Sequence, residues 1–164
     1  MTTLDPRTTD VEPFAHGVSS TEPISWSGEV SVQILATSAE TGGSMGMLVN
    51  TYPRGLGFPM HIHHKEDEVI FLLEGRLLCE AGGRQFELGP GEMWFGPRDV
   101  PHGFVSLDDV PARFVELFLP GGLEDVFRSP DELKAYIRAG RTGERYDLEI
   151  VGGLPVEADP HRDS

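Results

Sequence analysis

Gly55-Leu-Gly-Phe-Pro-Met-His61-Ile-His63-His-Lys-Glu-Asp-Glu68-Val-Ile-Phe-Leu-Leu-Glu-Gly75 is the stretch that decides the fold. Its spacing is G-x5-H-x-H-x4-E-x6-G. On a strand, His61 and His63 lie two residues apart and share one face. His64 then points the opposite way and is expected to face solvent. Glu68 opens the apolar run to Leu73, which reads as the next strand. A further candidate, His102, follows a Pro/Gly-rich stretch. Three imidazoles and one carboxylate form a donor set for one divalent transition metal: imidazole suits Zn, Cu, Fe and Ni, and a carboxylate keeps the set hard enough for Fe or Mn. The expected ligands are His61, His63, Glu68 and His102, with the choice among Fe, Ni, Mn, Cu and Zn left open. The plainer reading of Met60 to Glu68 is a polar surface loop; the glycines, the carboxylate and the distant Pro97-x-x-x-Pro101-His102 element weigh against it.

The pattern resembles the first motif of the cupin superfamily at every position. The second motif of that family, G-x5-P-x-G-x2-H-x3-N, maps to Gly91, Pro97, Asp99, His102 and Ser106. Asp99 stands in place of the usual glycine and Ser106 in place of the usual asparagine, and neither change removes a ligand. Thr41-Gly-Gly43, Pro59 to Glu68 and Pro97 to Phe104 are similar to small single-domain, quercetinase-like cupins of the cupin 2 type. The likeness runs from about Glu29 to Gly153. It implies an all-β fold, an antiparallel β-barrel (double-stranded β-helix or jelly roll), with a short C-terminal helical segment.

At 164 residues the chain has room for one sizeable core. Its 20 glycines and 13 prolines suit many short strands joined by turns. Cys79 is the only cysteine, so an intrachain disulfide is excluded, and it reads as a buried small hydrophobe. Net charge of −14 argues against nucleic acid or an anionic membrane as partner. No apolar run approaches the length of a membrane helix. The N-terminus lacks a signal-peptide pattern, so the cytoplasm is the expected location.

The expected organisation is a flexible arm over 1–23, a β-barrel domain over 24–153 and a disordered tail over 154–164. Strand patterns cover Glu29 to Thr37, Met45 to Tyr52, Val69 to Glu74, Leu77 to Ala81, Gln85 to Leu88, Met93 to Phe95, His102 to Ser106 and Arg113 to Leu119. Such regular spacing indicates an antiparallel sandwich or barrel. Pro53 to Pro59 reads as a loop that cannot be helical. Ser129-Pro130-Asp-Glu132 predicts a helix over about 130–139, with Ser129 as N-cap, Glu132 closing a capping box and Gly140 as the stop. That helix is expected to pack on the outside of the barrel, with a lid over the pocket mouth as the alternative. Asp147 to Val151 reads as a last extended segment. His16 and His161 lie in the terminal regions and are poor ligand candidates.

Four protein ligands on a metal that accepts five or six leave positions open for substrate, so the donor set permits catalysis. Glu68 has a second role as candidate general base. The expected pocket is apolar and partly aromatic, with Ile70, Leu72, Phe104, Met47, Phe58 and Trp94 as candidate lining and Tyr52 and Phe95 nearby. Arg54 is the sole cation in the loop before His61, so no phosphate clamp is in view. Three functions follow: a metal-dependent dioxygenase on an enolisable or phenolic small molecule, with dioxygen as co-substrate; a redox-neutral Zn-dependent polyketide cyclase or isomerase; and a non-catalytic metal-containing binding protein. The first leads because the motif details resemble that group. An apolar sheet face of the kind small cupins present predicts a homodimer, with the N-terminal arm a candidate to take part.

Overall fold

The computed structural model describes residues 11–157. Eleven strands form in chain order: β1 (Ile24–Ser27), β2 (Val30–Ala36), β3 (Gly46–Tyr52), β4 (Gly57–His63), β5 (Asp67–Glu74), β6 (Leu77–Ala81), β7 (Arg84–Leu88), β8 (Met93–Gly96), β9 (His102–Ser106), β10 (Ala112–Leu119) and β11 (Leu148–Ile150). One α-helix, α1 (Pro130–Ala139), and two short 3-10 segments, Val18–Ser20 and Leu123–Arg128, complete the described elements. The strands make two antiparallel sheets, ordered β1-β2-β3-β10-β5-β8 and β11-β4-β9-β6-β7.

Alternation places the core between the sheets. On β10, Ala112, Phe114, Glu116 and Phe118 are buried while the residues between them are half-buried. On β5, Glu68, Ile70 and Leu72 take the buried positions. Full burial of a phenylalanine such as Phe114 contributes about 1.5–3 kcal/mol. Cys79 is buried in this core, as its setting in an apolar strand implies.

Sheet pairing brings distant parts of the chain to one place. β4 runs beside β9, and His61 is the register partner of His102. Glu68 arrives from the opposite sheet, on β5. The loop before His102 is tied back by the Asp99 N–H, which donates to the His63 carbonyl at 2.8 Å. Asp99 has φ 63, which explains why glycine is usual at this motif position. Aspartate tolerates that region better than most side chains, and here its carboxylate also meets His64 Nδ1 at 2.7 Å.

Several expectations need correction. β1 had no counterpart in the sequence pattern. β4 starts at Gly57, inside the stretch read as loop. Pro59 is accommodated because the β4–β9 register slips between Phe58 and His61, so no ladder hydrogen bond is demanded of it. Ser129 is the N-cap of α1, yet its side chain makes no capping hydrogen bond. Glu132 instead accepts from the Tyr136 hydroxyl one turn further on. The helix ends at Gly140 in the left-handed region, as predicted. The flexible-arm expectation does not extend to residues 16–21: Gln33 Nε2 donates to Val18 O and Thr21 O at 2.8 Å each, and His16 Nδ1 lies 2.9 Å from Leu35 O. Residues 1–10 of the arm, and residues 158–164 of the tail with His161, lie outside the described residues.

The α1 helix does not simply coat the outside of the barrel. Leu123, Val126 and Phe127 of the second 3-10 segment and Leu133 of α1 are buried against the core. Strand β11 then pairs with the β4 strand, setting Leu148 opposite His63 and Ile150 opposite His61. No helix among the described residues is long and apolar enough to cross a membrane.

Close approach of β4 to β9 leaves no room at Gly57, where a Cβ would lie 1.9 Å from the Phe104 carbonyl oxygen. Gly57→Ala should therefore force the two strands apart. The expected loss is about 2–4 kcal/mol in urea unfolding, on the scale of severe steric mutants; a loss below about 0.5 kcal/mol would contradict this packing.

Candidate metal centre

His61, His63, Glu68 and His102 form one buried cluster whose candidate ligand atoms all lie within 4.8 Å of one another. His61 and His63 project from the same face of β4, and His102 from β9 beside them. Glu68 closes the cluster from the other sheet. Each of the four side chains is at most 3% exposed.

Backbone carbonyls set the rings. His61 Nδ1 donates to Pro59 O at 2.7 Å and His102 Nδ1 donates to Val100 O at 2.8 Å. A carbonyl can only accept, so both Nδ1 atoms carry hydrogen and both Nε2 atoms turn to the centre. Pinning of this kind is how ligating histidines are oriented at metal sites. At the centre, His61 Nε2 and His63 Nε2 are 3.0 Å apart. Glu68 Oε2 is 3.0 Å from His63 Nε2, 2.9 Å from His102 Nε2 and 3.9 Å from His61 Nε2. Ligand atoms about 2.0–2.2 Å from one ion, at right angles around it, stand about 3.0 Å apart. The donor set and its spacings therefore fit a divalent transition metal. Glu68 Oε1 and His63 Nδ1 are buried without hydrogen-bond partners.

Burial lowers the His61 pKa to about 3, helped by the neighbouring histidines and opposed by Glu68. His63 is lowered for the same reason. At His102 burial also pushes downward, but the hydrogen bond and charge of Glu68 outweigh it and the pKa is raised. Glu68 itself would be raised by burial; hydrogen bonds from His102, His61 and His63 win and hold it well below the usual carboxylate range. The carboxylate is thus held towards its ionised form, and its charge favours a cation among the three rings.

The cluster opens on a narrow cavity of about 20 Å³, room for about one water molecule. Tyr52, Phe58, Phe104 and Phe118 line it with His61 and His63. Its remaining walls are Glu116 and the C-terminal residues Leu123, Val126, Phe127, Leu133, Thr142 and Leu148. Of the pocket residues named from sequence, Phe58, Phe104 and Tyr52 line this space. Ile70 and Leu72 point inward but are enclosed in the core. Trp94 packs its ring 5.4 Å from His102, behind the cluster. Met47 is a correction: it lies on the opposite face of β3 from the buried Leu48, Asn50 and Tyr52. Phe95 is likewise turned outward and half-exposed. His64 is partly exposed and sits between Asp99 and Glu149, away from the cluster. His16 is remote from it and contacts Leu35 and Glu40.

Glu116 was missed from sequence, and so was the C-terminal wall. Glu116 had a readable signal: it occupies an inward position in the alternation of Ala112, Phe114 and Phe118. Burial raises its pKa well above the usual range, and the charge of Glu68 and a side-chain hydrogen bond with Glu68 add to this, against a hydrogen bond from Asn50; Glu116 therefore adjoins the cluster.

Residues 47–118 match the family described as Cupin domain. Over 97 residues, or 59% of this chain, it is 27% identical to quercetin 2,3-dioxygenase of Bacillus subtilis (strain 168). That match covers only 28% of the relative's length. Among solved structures, KdgF from Halomonas sp. gives a TM-score of 0.59 at 20% identity, covering 67% of this chain and 94% of that one. The polyketide cyclase RemF from Streptomyces resistomycificus gives 0.56 at 23% identity, covering 66% and 80%. These likenesses establish the shared fold.

The buried titrations predict acid sensitivity of the metal-free protein. His61 binds a proton near pH 3 when folded and near 6.5 when unfolded, so acid favours the unfolded chain below about pH 6.5. His63 acts in the same direction, and Glu68 adds to the loss below about pH 4.5. His102 opposes them, since its folded pKa is raised, and so do Glu116 and Glu66, whose carboxyls burial pushes up, Glu66 to about 7. Metal-free Glu116→Gln protein lacks one of the opposing carboxyls, so its urea midpoint should fall more steeply from pH 7 to pH 4 than that of the unaltered protein; equal slopes would contradict this balance.

Proposed function

We propose that this chain is a metal-dependent cupin enzyme, a dioxygenase acting on an enolisable or phenolic small molecule of flavonol or polyketide type. One observation carries the reading. The His61–His63–Glu68–His102 cluster lies at the wall of a narrow aromatic cavity whose lining includes no lysine or arginine. Such a space suits a flat, apolar, uncharged substrate better than a phosphate or polycarboxylate. The likeness to a quercetin 2,3-dioxygenase supports the choice of reaction.

A divalent transition metal held by the four ligands supplies a Lewis-acidic, redox-capable centre for a substrate oxygen and for dioxygen. The chain's own groups supply the remainder. Pro59 O and Val100 O keep the imidazoles aimed at the centre. Tyr52, Phe58 and Phe104 present aromatic surface that orients a planar ring. Glu68 Oε1, buried and unpartnered, accepts the substrate hydroxyl proton. Burial of the cluster keeps that proton from exchange with bulk water.

Purified protein should carry about one equivalent of Fe, Ni, Mn or Cu, and should consume oxygen with at least one flavonol or enolisable aromatic. His102→Ala should strip most of the metal, and His64→Ala should leave it nearly unchanged. Glu68→Gln should keep part of the metal and lose roughly 100-fold or more in the catalytic step, the scale of a general base. Zn as the sole metal, with no oxygen uptake on any substrate, would replace this reading with a redox-neutral cyclase or isomerase, or a non-catalytic binding protein.

We propose in addition that the chain is a homodimer. Phe71, Met93 and Phe95 are 41%, 54% and 51% exposed on the outer face of β5 and β8, at the edge of the six-stranded sheet. Clustered exposed side chains of this size mark a contact surface. Light scattering at micromolar concentration should give twice the chain mass of 18.0 kDa; the single-chain mass would refute pairing.

A further inference from the structure

The cluster is shut in. Its four side chains are at most 3% exposed, and the cavity beside it has room for about one water molecule. A hydrated metal ion or a ring-sized substrate reaches it only if a wall moves. The barrel wall is the firmer one. Tyr52, Glu116 and Phe118 stand on β3 and β10, Phe58 and Phe104 on β4 and β9, and each of these strands has a paired strand on both sides.

The facing wall is built differently. Leu123, Val126 and Phe127 of the 3-10 segment and Leu133 of α1 close the cavity, and residues 123–139 belong to neither sheet. Glycines in the positive-φ region bound this stretch, Gly122 at φ 138 and Gly140 at φ 80. Its flanks are tied down: the Gly121 N–H donates to Gly43 O at 3.1 Å, and Gly140 O accepts from the Ile150 N–H at 2.7 Å. Between these flanks, among the described residues, one hydrogen bond crosses to the barrel. Glu124, fully buried, accepts at Oε1 from the Ser38 N–H at 2.6 Å. Its Oε2 accepts from the Gly122 N–H, also at 2.6 Å. The wall otherwise holds by apolar packing, with Phe127 stacked on Phe118 at 6.4 Å.

The wall is also thin. On its outer side, Gly122 and Asp125 line a surface groove of about 470 Å³ together with Ser38, Glu66 and Tyr146. On its inner side, Leu123, Val126 and Phe127 line the cavity. One layer of 3-10 backbone separates the groove from the space beside the cluster.

We propose that residues 123–139 are a gate over the metal centre. They swing into the groove on Gly122 and Gly140, with the Glu124–Ser38 hydrogen bond as the latch, and admit metal and substrate. The inference rests on the metal-centre reading and holds whichever reaction follows.

Two measurements on the metal-free, full-length chain test it. The first is Co(II) uptake by stopped flow, read as quenching of Trp94, whose ring lies 5.4 Å from His102. The uptake rate should level off as Co(II) rises, because opening becomes limiting. In Glu124→Gln a single amide oxygen replaces two acceptors for the Ser38 and Gly122 N–H groups. That variant should raise the ceiling about three- to tenfold, the scale of one lost hydrogen bond, and Phe127→Ala should raise it at least as far. Leu77→Ala, a core truncation on β6, should lower Tm and leave the ceiling unchanged. The second measurement is hydrogen exchange: amides of 123–139 should exchange well ahead of those of β3, β4, β9 and β10. If one gate variant fails to fold, the other and the exchange pattern decide. Uptake that stays linear to millimolar Co(II) overturns the gate. So does a ceiling that Leu77→Ala raises as much as Glu124→Gln, or equal protection of gate and strands. If Co(II) does not bind, the metal reading fails and the exchange pattern alone decides the gate.

Discussion

Two backbone carbonyls, Pro59 O and Val100 O, fix the imidazoles of His61 and His102 with their Nε2 atoms turned inward, where the ionised Glu68 meets them. An ionised carboxylate at 1% exposure needs a cation close by. Glu68 raises the proton affinity of His102 beside it, and the spacing of the four ligand atoms is what a metal ion would require. Much of the architecture follows from meeting this demand. β4 and β9 must pair so that His61 faces His102, and β5 must cross from the other sheet to deliver Glu68. The turn at Asp99 must anchor to His63 O so that the strand carrying His102 starts in register.

The sheets and the cluster were legible because they rest on local patterns. Period-2 alternation marked β2, β3, β5, β6 and β10 to within a few residues. The glycine, histidine and glutamate spacing marked the ligands, since two residues on a strand must share a face. What was not legible depends on long-range packing. The β1 strand, Ile-Ser-Trp-Ser, is too short to show alternation and exists because β2 offers it an edge. The start of β4 was hidden by Pro59, which only a slipped register tolerates. Ser129 and Glu132 have the spacing of a capping box, but Tyr136 competes for Glu132 and the box does not close.

The C-terminal third shows the same limit on a larger scale. Its periodicity predicted a helix, and a helix is present, but periodicity says nothing about what that helix covers. Pairing of β11 with β4 sets Leu148 at the cavity, while packing of the Leu123–Arg128 segment on β3 and β1 and of α1 on β1 brings Leu133, Val126 and Phe127 to it. The narrow aromatic space beside the cluster is therefore a product of tertiary structure. It sets Glu116 beside His61 and His63.

The central claim is that His61, His63, Glu68 and His102 converge on one ion, with the rings oriented from behind by the backbone. Histidine-selective 15N NMR of the protein loaded with one equivalent of Zn tests this most directly. The account requires the Nε2 resonances of His61, His63 and His102 to move together to metal-bound positions, with Nδ1 of His61 and His102 still protonated and the His64 and His16 resonances little changed. Nε2–H protons retained on His61 or His102 after one equivalent of metal would contradict it.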